Sequence, residues 1–290
     1  MRRLSALLST ALLLAAGPPT GASGARAGDP ADAPDAAVSA ARGVLIRDVE
    51  IAVPGQRPVR AYVVRPAGPA RPGSLAGVLH LHWYAPGAAN QDRTEFLAEA
   101  TALAGRGAVA VLPQLTFPWT ADPLGDARDR VSVAAQVDAV RRAYARLLAE
   151  PGVDRDRTAV AGHDYGAMYA LALTAREPGL RAAVLVAPDA TWANWFDTYW
   201  LDLPEGEKAG YRAVFAGLDP VELVGRLGDD AYLQFAGADR FVGPATRAAF
   251  AAAAPEARVS LYEGARHDLG GADTRDDRAA WLAGRLALAG

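Results

Sequence analysis

The chain has no cysteine, two methionines and, among 30 basic residues, a single lysine, Lys208. Without cysteine there can be no disulfide, no thiol nucleophile and no lipoprotein anchor, so an exported form must be stable through its core alone. Basic patches are lacking too. The formal net charge is -3 and the pI about 5.8, and no lysine/arginine cluster is interleaved with aromatics, so no nucleic-acid partner is expected. No stretch approaches roughly 18 consecutive apolar residues, which leaves no candidate membrane span.

What is present is enough apolar material for one large core. Of 290 residues, 51% are hydrophobic, which bounds the chain at one domain or at most two. The start reads as a secretory signal over residues 1–27: Arg2 and Arg3 form a charged region, Leu4 to Ala16 an apolar one, and Ala25-Arg26-Ala27 a small-x-small cleavage site. Secretion or a periplasmic location follows, with no membrane association after cleavage. Residues 28–42 are rich in Ala, Asp and Pro and read as a flexible lead-in.

Residues 43–290 alternate strand-like apolar runs with amphipathic helical stretches, which predicts an α/β fold with helices on both faces of a mostly parallel sheet. Val44 to Val53 and Val59 to Arg65 read as an antiparallel opening pair. Strands follow at Gly77 to His82, Ala108 to Pro113, Arg157 to Ala161, Arg181 to Ala187, Ala231 to Ala236 and Arg258 to Glu263. Helices are predicted at Thr94 to Ala104, Val131 to Ala149, Ala167 to Leu173, Ala245 to Ala253 and Asp276 to Leu288. That makes about eight strands.

Gly162-His163-Asp164-Tyr165-Gly166 lies between a predicted strand and a predicted helix. It has the form of a nucleophile elbow, in which a strained central residue needs small neighbours two positions away. Here the central residue is aspartate rather than serine; the alternative is an ordinary turn with Asp164 capping the helix. In open α/β sheets functional groups collect at the carboxyl ends of the strands. Asp239 follows the strand ending at Ala236, and His267 follows the one ending at Glu263. The order Asp164, Asp239, His267 is that of nucleophile, acid and base in α/β-hydrolases. Asp189 also follows a strand and is the alternative acid.

On these residues the chain resembles the α/β-hydrolase superfamily. Gly105 to Pro113 and Val153-Asp154-Arg155-Asp156-Arg157 are similar to phrases of its dienelactone hydrolase-like branch. The elbow departs from that branch and resembles the Gly-His-Asp-Trp-Gly of epoxide hydrolases and haloalkane or haloacetate dehalogenases. The resemblance implies an eight-stranded α/β-hydrolase fold, and an oxyanion hole from the backbone N–H of Tyr165 and one from Trp83 or Tyr84. No cofactor is implied.

An aspartate nucleophile is ionised at neutral pH and can attack an alkyl carbon without a base. His267 would then activate water against the resulting ester, with Asp239 holding its ring. A halide or epoxide fits this chemistry. The alternatives are an ester or lactone hydrolase in which Asp164 assists water, and a non-catalytic homologue that only binds a ligand. His80 and His82 alternate on one strand, which opens a metal-binding reading with His163, Asp164 or His267; His82 as a brace for the oxyanion loop is preferred, and no metal is expected.

The span 188–230 reads as a small cap holding Trp192, Trp195, Phe196, Tyr199, Trp200, Tyr211 and Phe215. Most of these rings would anchor the cap. Trp192, Trp195 and Tyr199, with His82, Trp119 and Asp189, are candidates for the wall of a pocket that takes a small, largely apolar substrate. Gln114 and Phe117 are further candidates.

Overall fold

A computed structural model of the protein describes residues 36–41 and 43–289. The proposed signal over 1–27 lies outside the described residues. Among the described residues the sheet has nine strands in the order β1-β2-β3-β5-β4-β6-β7-β8-β9. β1 (Ala36–Ala41), β2 (Val44–Ile51) and β3 (Val59–Pro66) form an antiparallel flank that joins β5 (Ala108–Pro113). From β5 onward through β4 (Leu75–Leu81), β6 (Val153–His163), β7 (Ala182–Val186), β8 (Ala231–Ala236) and β9 (Arg258–Tyr262) all pairings are parallel.

The central strands owe their place to composition. Every residue of β4, β5, β7 and β8 is buried, the continuous apolar pattern of a parallel strand covered on both faces. The sequence reading differs from the structure at β1, a ninth strand inside the span read as a lead-in. Its Ala-rich sequence has weak strand propensity, and antiparallel pairing with β2 overrides it.

Among the described residues the helices outside the insert are α1 (Leu97–Gly105), α2 (Ala127–Leu148), α3 (Tyr165–Thr174), α7 (Pro244–Ala253) and α8 (Ala272–Arg285). α2 starts four residues before the predicted Val131, because the Asp126 side chain accepts the Arg128 N–H and caps it. α3 is buried from Tyr165 through Leu173, so the helix behind the elbow has no solvent face.

Between β7 and β8 the chain forms α4 (Trp192–Phe196), a π-helical turn (Asp197–Leu201), α5 (Glu205–Val214), α6 (Pro220–Leu223) and a 3-10 segment (Val224–Asp230). Polar contacts fasten this insert to the body. The Tyr211 hydroxyl donates to Asp129 Oδ2 at 2.6 Å, and the same carboxylate accepts the N–H groups of Leu124 and Gly125. No described helix is long and apolar enough to cross a membrane.

Candidate active site

Asp164 sits at the β6–α3 junction with φ 56° and ψ −121°, a strained conformation for a residue with a Cβ. The glycines around it are required by contact. A Cβ on Gly162 would collide with the Gly166 carbonyl, and one on Gly166 with the Leu81 carbonyl. The turn therefore closes only if both positions lack a side chain. It lifts Asp164 to the carboxyl end of the sheet.

Parallel topology brings the other groups there. β4 delivers His82, Trp83 and Tyr84, β8 delivers Asp239, and β9 delivers His267. His267 Nδ1 lies 2.8 Å from Asp239 Oδ2. Burial alone would raise the Asp239 pKa. The His267 hydrogen bond and charge, with the N–H groups of Phe241 and Val242, outweigh that and hold it below the ordinary carboxylate value. Asp189 is elsewhere: its oxygens accept the Thr191 N–H and the Asn194 amide at the start of α4, and burial raises it to about 6. The structure thus brings Asp239, and not Asp189, to the histidine.

The two oxygens of Asp164 differ. Oδ2 accepts the Tyr84 N–H at 2.9 Å, whereas Oδ1 is buried with no hydrogen-bond partner. The Trp195 indole is a favourable polar neighbour of the carboxyl, short of a well-formed hydrogen bond to that orphaned oxygen. Burial raises the Asp164 pKa to about 7, opposed by the charge of His267 and the Tyr84 N–H.

Among the proposed oxyanion donors, the Tyr84 N–H reaches the carboxyl. The Trp83 N–H does not, because it is committed to Glu95 Oε2 at 2.6 Å. The Tyr165 side chain is buried, its ring stacked on Phe196 at 5.7 Å and its hydroxyl without a partner.

His82 braces this loop. Its Nδ1 faces the Trp83 carbonyl at 3.1 Å and so carries the hydrogen, while Nε2 accepts the Leu115 N–H at 2.9 Å. The Trp119 indole donates to the same Trp83 carbonyl at 3.1 Å. Gln114 contacts His82, and Phe117 packs on Phe196. His80 takes no part. It is buried against Phe96 with both ring nitrogens unpartnered, and burial lowers its pKa to about 3. Among the described residues no group of three or more His, Cys, Asp or Glu side chains is arranged to hold a metal ion.

The cap rings divide into two kinds. Trp192 is an anchor, donating its N–H to Asp219 and its indole to the Leu218 carbonyl. Trp195 lies 5.9 Å from the rings of both His267 and Tyr165, and 5.2 Å from Tyr199. Phe241, absent from the sequence-derived set, packs edge-on against His267 at 5.1 Å. A groove of about 220 Å³, lined by Ala238, Arg240, Phe241 and Arg266, reaches His267 from outside. Three larger grooves, of about 320, 350 and 420 Å³, touch none of Asp164, Asp239 and His267.

Glu95 is the second group that the sequence did not single out. It bridges the Trp83 N–H and His163 Nδ1, the latter at 2.6 Å, and His163 Nε2 contacts the His267 carbonyl at 2.9 Å.

No protein-family model matches the sequence, and no curated protein sequence does either. Solved structures do match. An acetyl xylan esterase from Paenibacillus sp. R4 superposes with a TM-score of 0.66 at 18% identity, covering 88% of this chain and 87% of its own. A structure assigned as a dienelactone hydrolase from Klebsiella pneumoniae gives 0.59 at 17% identity, covering 85% and 99%. A cold-adapted esterase from an Arctic intertidal metagenomic library gives 0.62 at 17% identity, covering 88% and 98%. The chain has the α/β-hydrolase fold.

Proposed function

We propose that the protein is a hydrolase that displaces a leaving group from an alkyl carbon, in a halide or an epoxide, through an ester on Asp164. The observation that carries this reading is the asymmetry of the Asp164 carboxyl: one oxygen held by a backbone N–H, the other buried and unpartnered at the apex of a strained elbow.

In this reading Oδ1 attacks the electrophilic carbon, the bond to halogen or epoxide oxygen breaks, and an alkyl ester forms. His267 then takes a proton from water, and the hydroxide adds to the Asp164 carboxyl carbon. The negative charge builds on Oδ2, where the Tyr84 N–H already points. Breaking the bond between that carbon and Oδ1 expels an alkoxide that takes the proton from His267 and leaves as the alcohol, and the carboxyl gives its own proton to solvent, or to the alkoxide opened from an epoxide, and returns as the carboxylate. Asp239 holds the His267 ring and stabilises its imidazolium form. A small substrate would enter by the groove at Phe241 and His267, with Trp195 packed between the rings of His267 and Tyr165 as its apolar neighbour.

A second reading has its own support. The matching structures include esterases and a dienelactone hydrolase, and burial places Asp164 at about 7, a value suited to a base that assists water on an ester or lactone. Carboxylate attack on an acyl carbon would give a high-energy anhydride, so in that case no adduct would form on Asp164. The intact His267–Asp239 pair argues against a ligand-binding role without catalysis. An export signal over residues 1–27 is part of the proposal.

Replacing His267 by Gln separates the readings. With 1-bromobutane or styrene oxide as probe, the alkyl-ester route leaves His267→Gln stalled with the probe's mass added at Asp164. Normal turnover by that variant would remove His267 as the base.

A further inference from the structure

We propose that Glu95 and His163 form a positioning dyad, sharing one proton, that ties the oxyanion loop at Trp83–Tyr84 to the His267 loop across the nucleophile elbow. The inference rests on the reading of Asp164 and His267 as the reacting groups.

Hydrogen-bond direction fixes most of the arrangement. The His267 carbonyl can only accept, so His163 Nε2, 2.9 Å away, carries a hydrogen. His163 Nδ1 faces Glu95 Oε1 at 2.6 Å, a separation that two bare acceptors would not hold, so one proton lies between them. The remaining Glu95 oxygen accepts the Trp83 N–H at 2.6 Å. Both side chains are nearly closed to solvent, 10% exposed for Glu95 and 2% for His163. In such surroundings a neutral pair is favoured over separated charges, which places the proton on Glu95. Burial acts in that direction on both partners, raising Glu95 well above the usual carboxylate range and lowering His163 to about 4.

Each bond bears on a reacting group. With its N–H held by Glu95 and its carbonyl held by Trp119 and His82, Trp83 cannot turn the following peptide, whose N–H at Tyr84 meets Asp164. At the other end, His163 pins the backbone of His267, whose ring is bonded to Asp239. The Trp83 indole stacks on the His163 ring at 4.9 Å and 12°, closing the space between the loops. Glu95 and His163 touch neither oxygen of Asp164. They act through Trp83 and His267.

Glutamine is the isosteric stand-in for a protonated glutamate: its amide can donate to His163 while its oxygen accepts from Trp83. The test compares full-length wild type, Glu95→Gln and Glu95→Ala. One arm measures adduct formation and breakdown with 1-bromobutane and styrene oxide. The other records ring-nitrogen NMR spectra, which are simple because the chain has four histidines. The expected result is that Glu95→Gln reacts within about threefold of wild type, while Glu95→Ala loses roughly ten- to a hundredfold in rate at little changed KM, as for a misplaced reacting group. His163 should stay in the neutral Nε2–H form from pH 5 to 8 in wild type and in Glu95→Gln. Damage in Glu95→Gln equal to that in Glu95→Ala, a charged His163 ring at pH 7, or a fully active Glu95→Ala would each overturn the dyad. Should Glu95→Ala fail to fold, retention of His163's neutral form and of rate in Glu95→Gln supports the proposal, and their loss overturns it. The NMR arm reads the dyad even if neither probe reacts, so failure of the Asp164 reading is a separate result.

Discussion

The Tyr84 N–H donates to Asp164 Oδ2 at 2.9 Å while Oδ1 of the same carboxyl has no partner. A single hydrogen bond thus makes the two oxygens chemically distinct. In the proposed mechanism Oδ2 would carry the oxyanion and Oδ1 would attack.

The acid of the proposed triad can be assigned by substitution. Asp239→Asn removes the charge that holds the His267 ring and should lower ester breakdown by about 10³- to 10⁴-fold, with less effect on the attack step. Asp189→Asn keeps an oxygen for the Thr191 N–H, so turnover should stay within about threefold of wild type. Pre-steady-state kinetics on the two variants decide between them; an inactive Asp189→Asn beside an active Asp239→Asn would reverse the assignment.

Asp164 should be a burden on stability at neutral and alkaline pH. Its folded pKa of about 7 stands above the unfolded 3.8. The folded state therefore holds a proton that the unfolded state releases, and stability falls as pH rises from about 4 to about 7, then levels off. The penalty is of order 4 kcal/mol above that window. Asp164→Asn should melt well above wild type at pH 8, at roughly 2–4 °C per kcal/mol, with the gap closing toward pH 4. Melting curves that stay parallel over this range would contradict the burial argument. Adduct formation in wild type should rise with pH through about 7, because only the ionised carboxylate attacks.

Much of this was legible in the sequence. The elbow was, because its two glycines answer a steric demand confined to five residues. So was His267, because the strand before it fixes the end of the sheet to which it belongs. The choice between Asp239 and Asp189 was not, since both follow strands and the decision lies in how each loop folds back. Glu95 was invisible for a similar reason: its partner His163 is 68 residues away, and a glutamate in the first turn of the helix predicted from Thr94 reads as a solvated charge. The second oxyanion donor was left between Trp83 and Tyr84 because sequence order does not reveal which way a peptide N–H turns. β1 was missed because its alanines carry little strand signal of their own.

His80 offers a test of stability at low pH. Its folded pKa of about 3 lies below the ordinary 6.5, so the unfolded chain takes up a proton first. The stability that neutral His80 allows is present above pH 6.5 and is lost as pH falls from about 6.5 to about 3. His82 and His163, both lowered to about 4 by burial, add to the same trend. His80→Leu removes one of the three and two unpartnered nitrogens, and should stabilise the fold by about 2 kcal/mol at pH 5 relative to pH 8. Denaturant titration at the two pH values reads the difference, and an equal effect at both would show that His80 is not held neutral.

The central claim is that Asp164 Oδ1 becomes the oxygen of the product, and one isotope measurement addresses it directly. A single turnover of 1-bromobutane or styrene oxide by excess enzyme in heavy-oxygen water, followed by mass spectrometry of the Asp164 peptide and of the product, locates the incoming oxygen. The heavy atom is expected in the Asp164 carboxyl, with ordinary oxygen in the newly formed hydroxyl of the first-turnover product. Heavy oxygen in the product, with none in Asp164 and catalysis intact, would contradict the claim.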